Sequence, residues 1–215
     1  SSFNVEERIQ GRDDLSELTD AGRQQAKRCG EALADVRFDA AYSSPLQRAR
    51  QTARVLLETQ GQGVPVNEDP LLLEIDLAPW SGLTRQEVKE RFGNEARLWR
   101  DAPHTLELSS SDGRRFNPLL EVMEQAEGFC QRLLAQHQPS GTVLVVAHNA
   151  ILRALVLRLL DLPASHFRRL RLDNGSISVL NVGDDGSVQV ESLNGTAHLG
   201  AGLPPRSDGP RLLLV

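Results

Sequence analysis

Between Thr142 and Val146 the chain reads Thr-Val-Leu-Val-Val, with no polar alternation, and His148 follows two residues later. A strand of that kind is buried on both faces, as in a parallel sheet. Parallel neighbours need crossover connections, usually helices, and the rest of the chain supplies them. Thr19 caps a helix that aligns Gly22, Ala26, Cys29 and Leu33, and Phe38 to Ser43 reads as a short strand. Ser44-Pro45 opens the next helix, with Ser as N-cap, Pro at the first helical position, and Leu46, Ala49, Ala53 and Leu56 inward. Thr84-Arg85-Gln86-Glu87 is a capping box whose helix stops at Gly93. Asn117-Pro118 opens a helix with Val122, Ala126, Phe129 and Leu133 inward, and a Leu-rich helix runs from Asn149 to Leu160. Ile177 to Val182 and Val188 to Leu193, separated by Gly183-Asp184-Asp185-Gly186, form an antiparallel hairpin at one side of the sheet. The pattern predicts an α/β sandwich with a mostly parallel sheet. Ligands of such folds bind beyond the carboxyl ends of the strands.

Composition narrows the function. A chain of 215 residues with 40% hydrophobic residues can form one domain with its own core. Its net charge of −5 argues against general nucleic-acid or anionic-membrane binding, so an anionic substrate needs a local cluster of arginines. The longest apolar runs, such as Val143 to Ala147, are too short to span a bilayer, and the first eight residues do not read as a signal peptide. Two cysteines, Cys29 and Cys130, read as free thiols of a cytoplasmic protein. His104, His137, His166 and His198 show no ligand spacing with one another or with the cysteines, so no metal site is expected, and with neither a Gly-rich Walker loop nor a Rossmann fingerprint in the sequence no other cofactor is expected. Gly200 to Pro210 reads as a linker.

Several polar residues fall where this fold would bind a ligand. His148 follows the buried strand and precedes a helix whose first N–H groups, at Asn149 and Ala150, can face an anion. The alternative is a satisfied structural histidine. Arg48 lies in the first turn of its helix, beside the preceding strand's end, where a guanidinium fork suits phosphate oxygens; the alternative is a solvated charge. Glu74, bracketed by leucines, reads as a desolvated carboxylate with a raised pKa or as a loop carboxylate facing water, with Asp76 as its rival. Asn4, Arg8, Gln10 and Gly11 form a polar loop before the first long helix. Arg168, Arg169 and Arg171 read as a solvated strand face.

Taken together, four stretches resemble the histidine phosphatase superfamily, in its phosphoglycerate mutase-like branch. They are Ser2-Phe3-Asn4 through Arg8-Ile9-Gln10-Gly11 with Leu18, Thr19 and Gly22; Tyr42 to Ala53; Leu73-Glu74-Ile75-Asp76 with Trp80, Gly82 and Leu83; and Val145 to Asn149 with Arg153, then Leu172 to Ser176. The resemblance implies a three-layer α/β/α sandwich whose mostly parallel sheet has six strands, one antiparallel near the edge. It implies phosphoryl transfer without a metal, through a phosphohistidine formed by the His of an Arg-His-Gly motif. That motif is absent from these 215 residues and would fall immediately before Ser1. Arg48, His148 and Asn4 would hold the phosphoryl oxygens and Glu74 would act as acid, then base. Arg8, Gln10, Gly11 and Asn149 would border the substrate.

The end of the chain, Pro210 to Val215, resembles the family's first strand. The expected organisation is therefore a domain at 1–199 lacking its own first strand, a linker at 200–209, and at 210–215 the start of a second such domain. The expected ligand is a small phosphorylated metabolite, with a tandem domain or a homodimer as partner. A mutase must shield its intermediate from water and grip a carboxylate with additional basic residues. The stretch from Trp99 to Pro118 is acidic and Ser-rich, with Arg114 and Arg115 its only close basic pair, which favours a phosphatase. The alternatives are a cofactor-dependent phosphoglycerate mutase and a non-catalytic phosphate-binding pseudophosphatase. Without the motif, these residues alone are expected to be inactive.

Overall fold

The computed structural model describes residues 1–136, 141–183 and 185–200. Beyond Gly200, the expected linker and the 210–215 strand lie outside the described residues, as does Asp184 of the hairpin turn. In chain order the helices are α1 (Ser2–Val5), α2 (Asp20–Ala32), α3 (Gln47–Gln60), α4 (Arg85–Arg91), α5 (Gly93–Asp101), α6 (Pro118–Gln136) and α7 (Asn149–Leu159). The strands are β1 (Ala40–Ser43), β2 (Val66–Glu68), β3 (Leu108–Ser109), β4 (Arg115–Phe116), β5 (Val143–Val146), β6 (Ile177–Val182) and β7 (Val188–Gly195).

The sheet is parallel, in the order β2-β1-β5, with Ala40 to Ser43 in register with Val143 to Val146. Successive side chains alternate between its faces. Ala41 and Leu144 join Cys29, Leu56 and Leu57 of α2 and α3, whereas Tyr42 and Val145 meet the larger core built on α6 and α7. That core includes Leu119, Met123, Phe129, Ile151, Leu157 and Trp80, all nearly inaccessible. Helices thus cover both faces, as the alternating pattern predicts. Where α2 crosses α3, a Cβ built on Gly30 would stand 2.5 Å from the Leu56 carbonyl oxygen, so only glycine permits this approach. Both cysteines are buried and free.

Several expectations need correction. Among the described residues the parallel sheet has three strands rather than six, and β6–β7 forms a separate antiparallel pair. Among those residues β5 pairs only with β1, and its four residues are half-buried rather than fully enclosed. The helix after Ser44-Pro45 begins only at Gln47, because Leu46 is extended (ψ 135°); Ser44 Oγ accepts the Leu46 N–H at 3.3 Å and also faces His148. The capping box at Thr84 forms, but Gly93 starts α5, and the break between the helices falls at Phe92. Arg168 and Arg169 lie in a 3₁₀ helix (Ala164–Arg169), not on a strand. Asn4 belongs to α1 rather than to a loop, with Val5 N–H bonded to Ser1 O and Glu6 N–H to Ser2 O.

Candidate active site

Pairing of Ser43 with Val146 brings the carboxyl ends of β1 and β5 to one edge. Ser44 and His148 leave the sheet there together. His148 is the N-cap residue of α7, 9% exposed, with Nε2 2.8 Å from Ser44 Oγ. Burial, with the Arg48 charge adding to it, holds the imidazole down at about 3, so it is neutral at pH 7.

Arg48 follows the first residue of α3 and is 8% exposed. Its Nη1 donates to Asp13 O at 2.8 Å and its Nη2 to Gly11 O at 2.9 Å. Among the described residues no carboxylate lies within ion-pair distance of it, and burial lowers its pKa despite the fields of Glu74, Asp14 and Asp13. The loop at residues 10–14 does more than bind this guanidinium. Asp14 Oδ1 accepts the Gln47 N–H at 2.7 Å and so caps α3, while Arg12 Nε donates to Glu74 O at 3.0 Å. Gly11 turns the loop at φ +54°, with Leu77 N only 3.1 Å from where a Cβ would stand.

Glu74 is half-buried, with its carboxylate at the start of α7. Oε1 accepts from Ala150 N–H at 3.0 Å, Ile151 N–H at 3.2 Å and its neighbour Ile75 N–H at 3.0 Å. Desolvation raises its pKa, against the opposing pull of those N–H groups and of Arg48. The site therefore combines a buried cation, a neutral imidazole and a carboxyl that holds its proton more readily than usual. Such a set can neutralise oxyanion charge and deliver a proton.

The other expected residues divide. Gln10 Nε2 donates to Asn4 Oδ1 at 3.0 Å and to Ser1 Oγ at 2.7 Å. Gly11 contributes its carbonyl to Arg48. Arg8 is held elsewhere, by Glu6 and the Gly82 carbonyl. Asn149 Nδ2 donates to Leu172 O, tying α7 to the segment before β6. Asp76 caps the turn at Ala78. Sequence reasoning missed Ser44 as the imidazole's partner, having assigned its hydroxyl to a helix cap, and missed the carbonyls of Gly11 and Asp13, which carry no side-chain signal. Among the described residues, no group of three or more His, Cys, Asp or Glu could hold a metal ion. A cleft of about 310 Å³ lined by Gln10, Arg12, Asp13, Asp76, Ala78 and Ser81 flanks the loop. The larger cleft, about 760 Å³ between α3 and β2, contains none of Arg48, Glu74 and His148.

The chain has relatives among known proteins. A 2-carboxy-D-arabinitol-1-phosphatase from Triticum aestivum is 36% identical across the whole of this chain, which spans only 43% of that protein. Phosphoserine phosphatase 1 from Hydrogenobacter thermophilus is 34% identical over 93% of this chain and 90% of its own. Further relatives include phosphoglycerate mutases, one from Gloeobacter violaceus being 31% identical over 80% of this chain and 77% of its own. The solved structure of Bacillus stearothermophilus YhfR superposes with a TM-score of 0.81 at 30% identity, over 92% of this chain and 93% of that one. A family description, that of the histidine phosphatase superfamily (branch 1), matches residues 1–196, and it is to this superfamily that the chain belongs.

Proposed function

We propose that the chain is the phosphoryl-binding and proton-delivering part of a phosphomonoester phosphatase that works through a phosphohistidine. The observation that carries this reading is the burial of Arg48, with no carboxylate partner among the described residues, beside His148 and Glu74. A buried cation left without a counter-ion is costly, and a phosphoryl group supplies the missing charge. Arg48 and His148 hold the phosphoryl oxygens, with Asn4 and Gln10 at the rim. Glu74 gives its proton to the leaving alkoxide and then takes one from water, a role that its raised pKa suits. The nucleophile is the His of an Arg-His-Gly motif, which these residues do not include. Hydrolysis is favoured over mutase action because Arg114 and Arg115 are already paired, with Glu121 and Glu107.

Two measurements test this. Vanadate and inorganic phosphate should raise the melting temperature of the 215-residue chain, and Arg48→Met should abolish that protection. Extension at Ser1 by Arg-His-Gly-Gln should confer hydrolysis of p-nitrophenyl phosphate in EDTA, with an acid-labile phosphoenzyme. No protection of the chain, or an extended chain that never becomes phosphorylated, would overturn the proposal.

A further inference from the structure

The turn Ser44-Pro45-Leu46 decides more than where α3 begins. Ser44 N–H donates to Val146 O at 3.1 Å, which ties the end of β1 to the end of β5. Pro45 has no N–H, so the first one that can reach back to the hydroxyl is that of Leu46, and it donates to Ser44 Oγ at 3.3 Å. Backbone groups thus hold Ser44 from two sides, and the residue is fully enclosed, at 0% exposure. A hydroxyl so placed still has one proton to give. Among the described residues its one other hydrogen-bonding neighbour is His148 Nε2, at 2.8 Å.

That contact can be made in two ways. If Nε2 carries the proton of the ring and donates to Oγ, the Ser44 O–H is left buried without an acceptor, an arrangement that protein interiors avoid. If the hydroxyl donates to Nε2, every group is paired, because Oγ accepts from Leu46 and gives to the imidazole. The second arrangement needs a bare Nε2, which puts the proton of the ring on Nδ1. It also excludes an imidazolium, whose Nε2–H would again orphan the hydroxyl; burial and the Arg48 charge act in the same direction. Nδ1 makes no hydrogen bond among the described residues, and it is not one of the enclosed side-chain atoms left unpaired, so it keeps a way out to a ligand.

We propose that Ser44 is a positioning residue, whose hydroxyl donates to His148 Nε2 and so holds the proton of the imidazole on Nδ1, as the N–H that meets a phosphoryl oxygen. The last clause rests on the phosphoryl-site reading given above. The two ring nitrogens then have separate tasks: Nε2 takes a hydrogen bond from the protein, and Nδ1 offers one to the ligand. A donor at Nδ1 works with Arg48 on the same anion, whereas a lone pair there would oppose it.

Nitrogen NMR of the isotope-labelled full chain tests this without a substitution. Long-range proton–nitrogen correlation distinguishes the two tautomers of each histidine, and His148→Gln identifies the His148 signals by their loss. The expected result is an Nδ1–H ring whose bare Nε2 correlates with the Ser44 hydroxyl proton. An Nε2–H ring, or an imidazolium at neutral pH, would overturn the inference and leave the phosphoryl-site reading standing. Ser44→Ala removes the donor and should return His148 at least partly to the Nε2–H form, whereas Ser44→Thr, which keeps the hydroxyl, should hold it on Nδ1. A folded alanine variant that keeps the Nδ1–H ring would overturn the role of Ser44. Vanadate should bind Ser44→Ala roughly tenfold more weakly than the parent, as expected for one charge-assisted hydrogen bond, with Ser44→Thr restoring most of the affinity. Equal vanadate binding by an alanine variant whose tautomer has moved would overturn the link to the phosphoryl oxygen. Failure of vanadate to bind the parent chain would overturn the phosphoryl-site reading, and with it that link, while the tautomer would still decide the role of Ser44.

Discussion

His148 makes the stability of this chain depend on acid in a way that can be worked through. In the unfolded chain its imidazole titrates at the ordinary value of 6.5, and in the folded chain at about 3. The folded state therefore refuses a proton that the unfolded state accepts. The associated stability is fully present above the unfolded value and is lost as pH falls through 6.5 toward about 3. Between pH 7.5 and pH 5 this one group should cost ~2 kcal/mol, because almost every unfolded molecule is protonated at the lower pH and almost no folded one is. Other groups titrate over the same range, so the quantity to measure is a difference. His148→Gln keeps a polar group near Ser44 Oγ and removes the titration. Urea unfolding of both proteins, followed by the fluorescence of Trp80 and Trp99, should show the variant gaining ~2 kcal/mol on the parent between those two pH values. A gap that stays constant within about 0.5 kcal/mol would refute the burial argument for His148.

Glu74 should titrate with the opposite sign. Its folded pKa is raised above the unfolded 4.5, so the parent should gain stability relative to Glu74→Gln as pH falls from the folded value toward 4.5, a trend that urea unfolding at pH 8 and pH 5 would detect. Gly30→Ala sets two effects against each other. Helix propensity favours alanine by up to ~1 kcal/mol, but the new methyl would meet the Leu56 carbonyl at 2.5 Å and Thr59 Cβ at 2.8 Å. Backbone cannot retreat as a side chain can, so the variant should be less stable by about 1–3 kcal/mol in denaturant unfolding; a more stable variant would show that α2 and α3 can part freely.

Much of the architecture is legible in the sequence because it follows from local periodicity. The Thr84 capping box, the Asn117-Pro118 helix start and the β6–β7 hairpin each announce themselves within a few residues. Sheet width is not of that kind. Whether β5 gains a neighbour on its second edge depends on partners distant in sequence, and the apolar run at Val143 to Val146 looks the same either way. Within the site, Arg48 and His148 were recognisable from their places after strands. Glu74 was recognisable from its apolar setting, although nothing local showed that α7 supplies the N–H groups that hold it. Arg168 reads as part of a strand face because Arg169 and Arg171 alternate with Leu170 and Leu172, whereas the chain folds a 3₁₀ turn that carries the Arg168 guanidinium onto Trp99.

The loop at residues 10–14 has a consequence for how mutations combine. Through two carbonyls it seats Arg48, through Asp14 it caps α3, and through Arg12 it grips the backbone of Glu74. Cation and acid, far apart in sequence, thus share one short tether. Their effects are not independent quantities, and double-mutant cycles between this loop and either residue should depart from additivity. Drift at Gly11 or Arg12 would then alter the grip on the phosphoryl group and the placement of the proton donor in a single step, so the two functions can be expected to change together rather than one at a time.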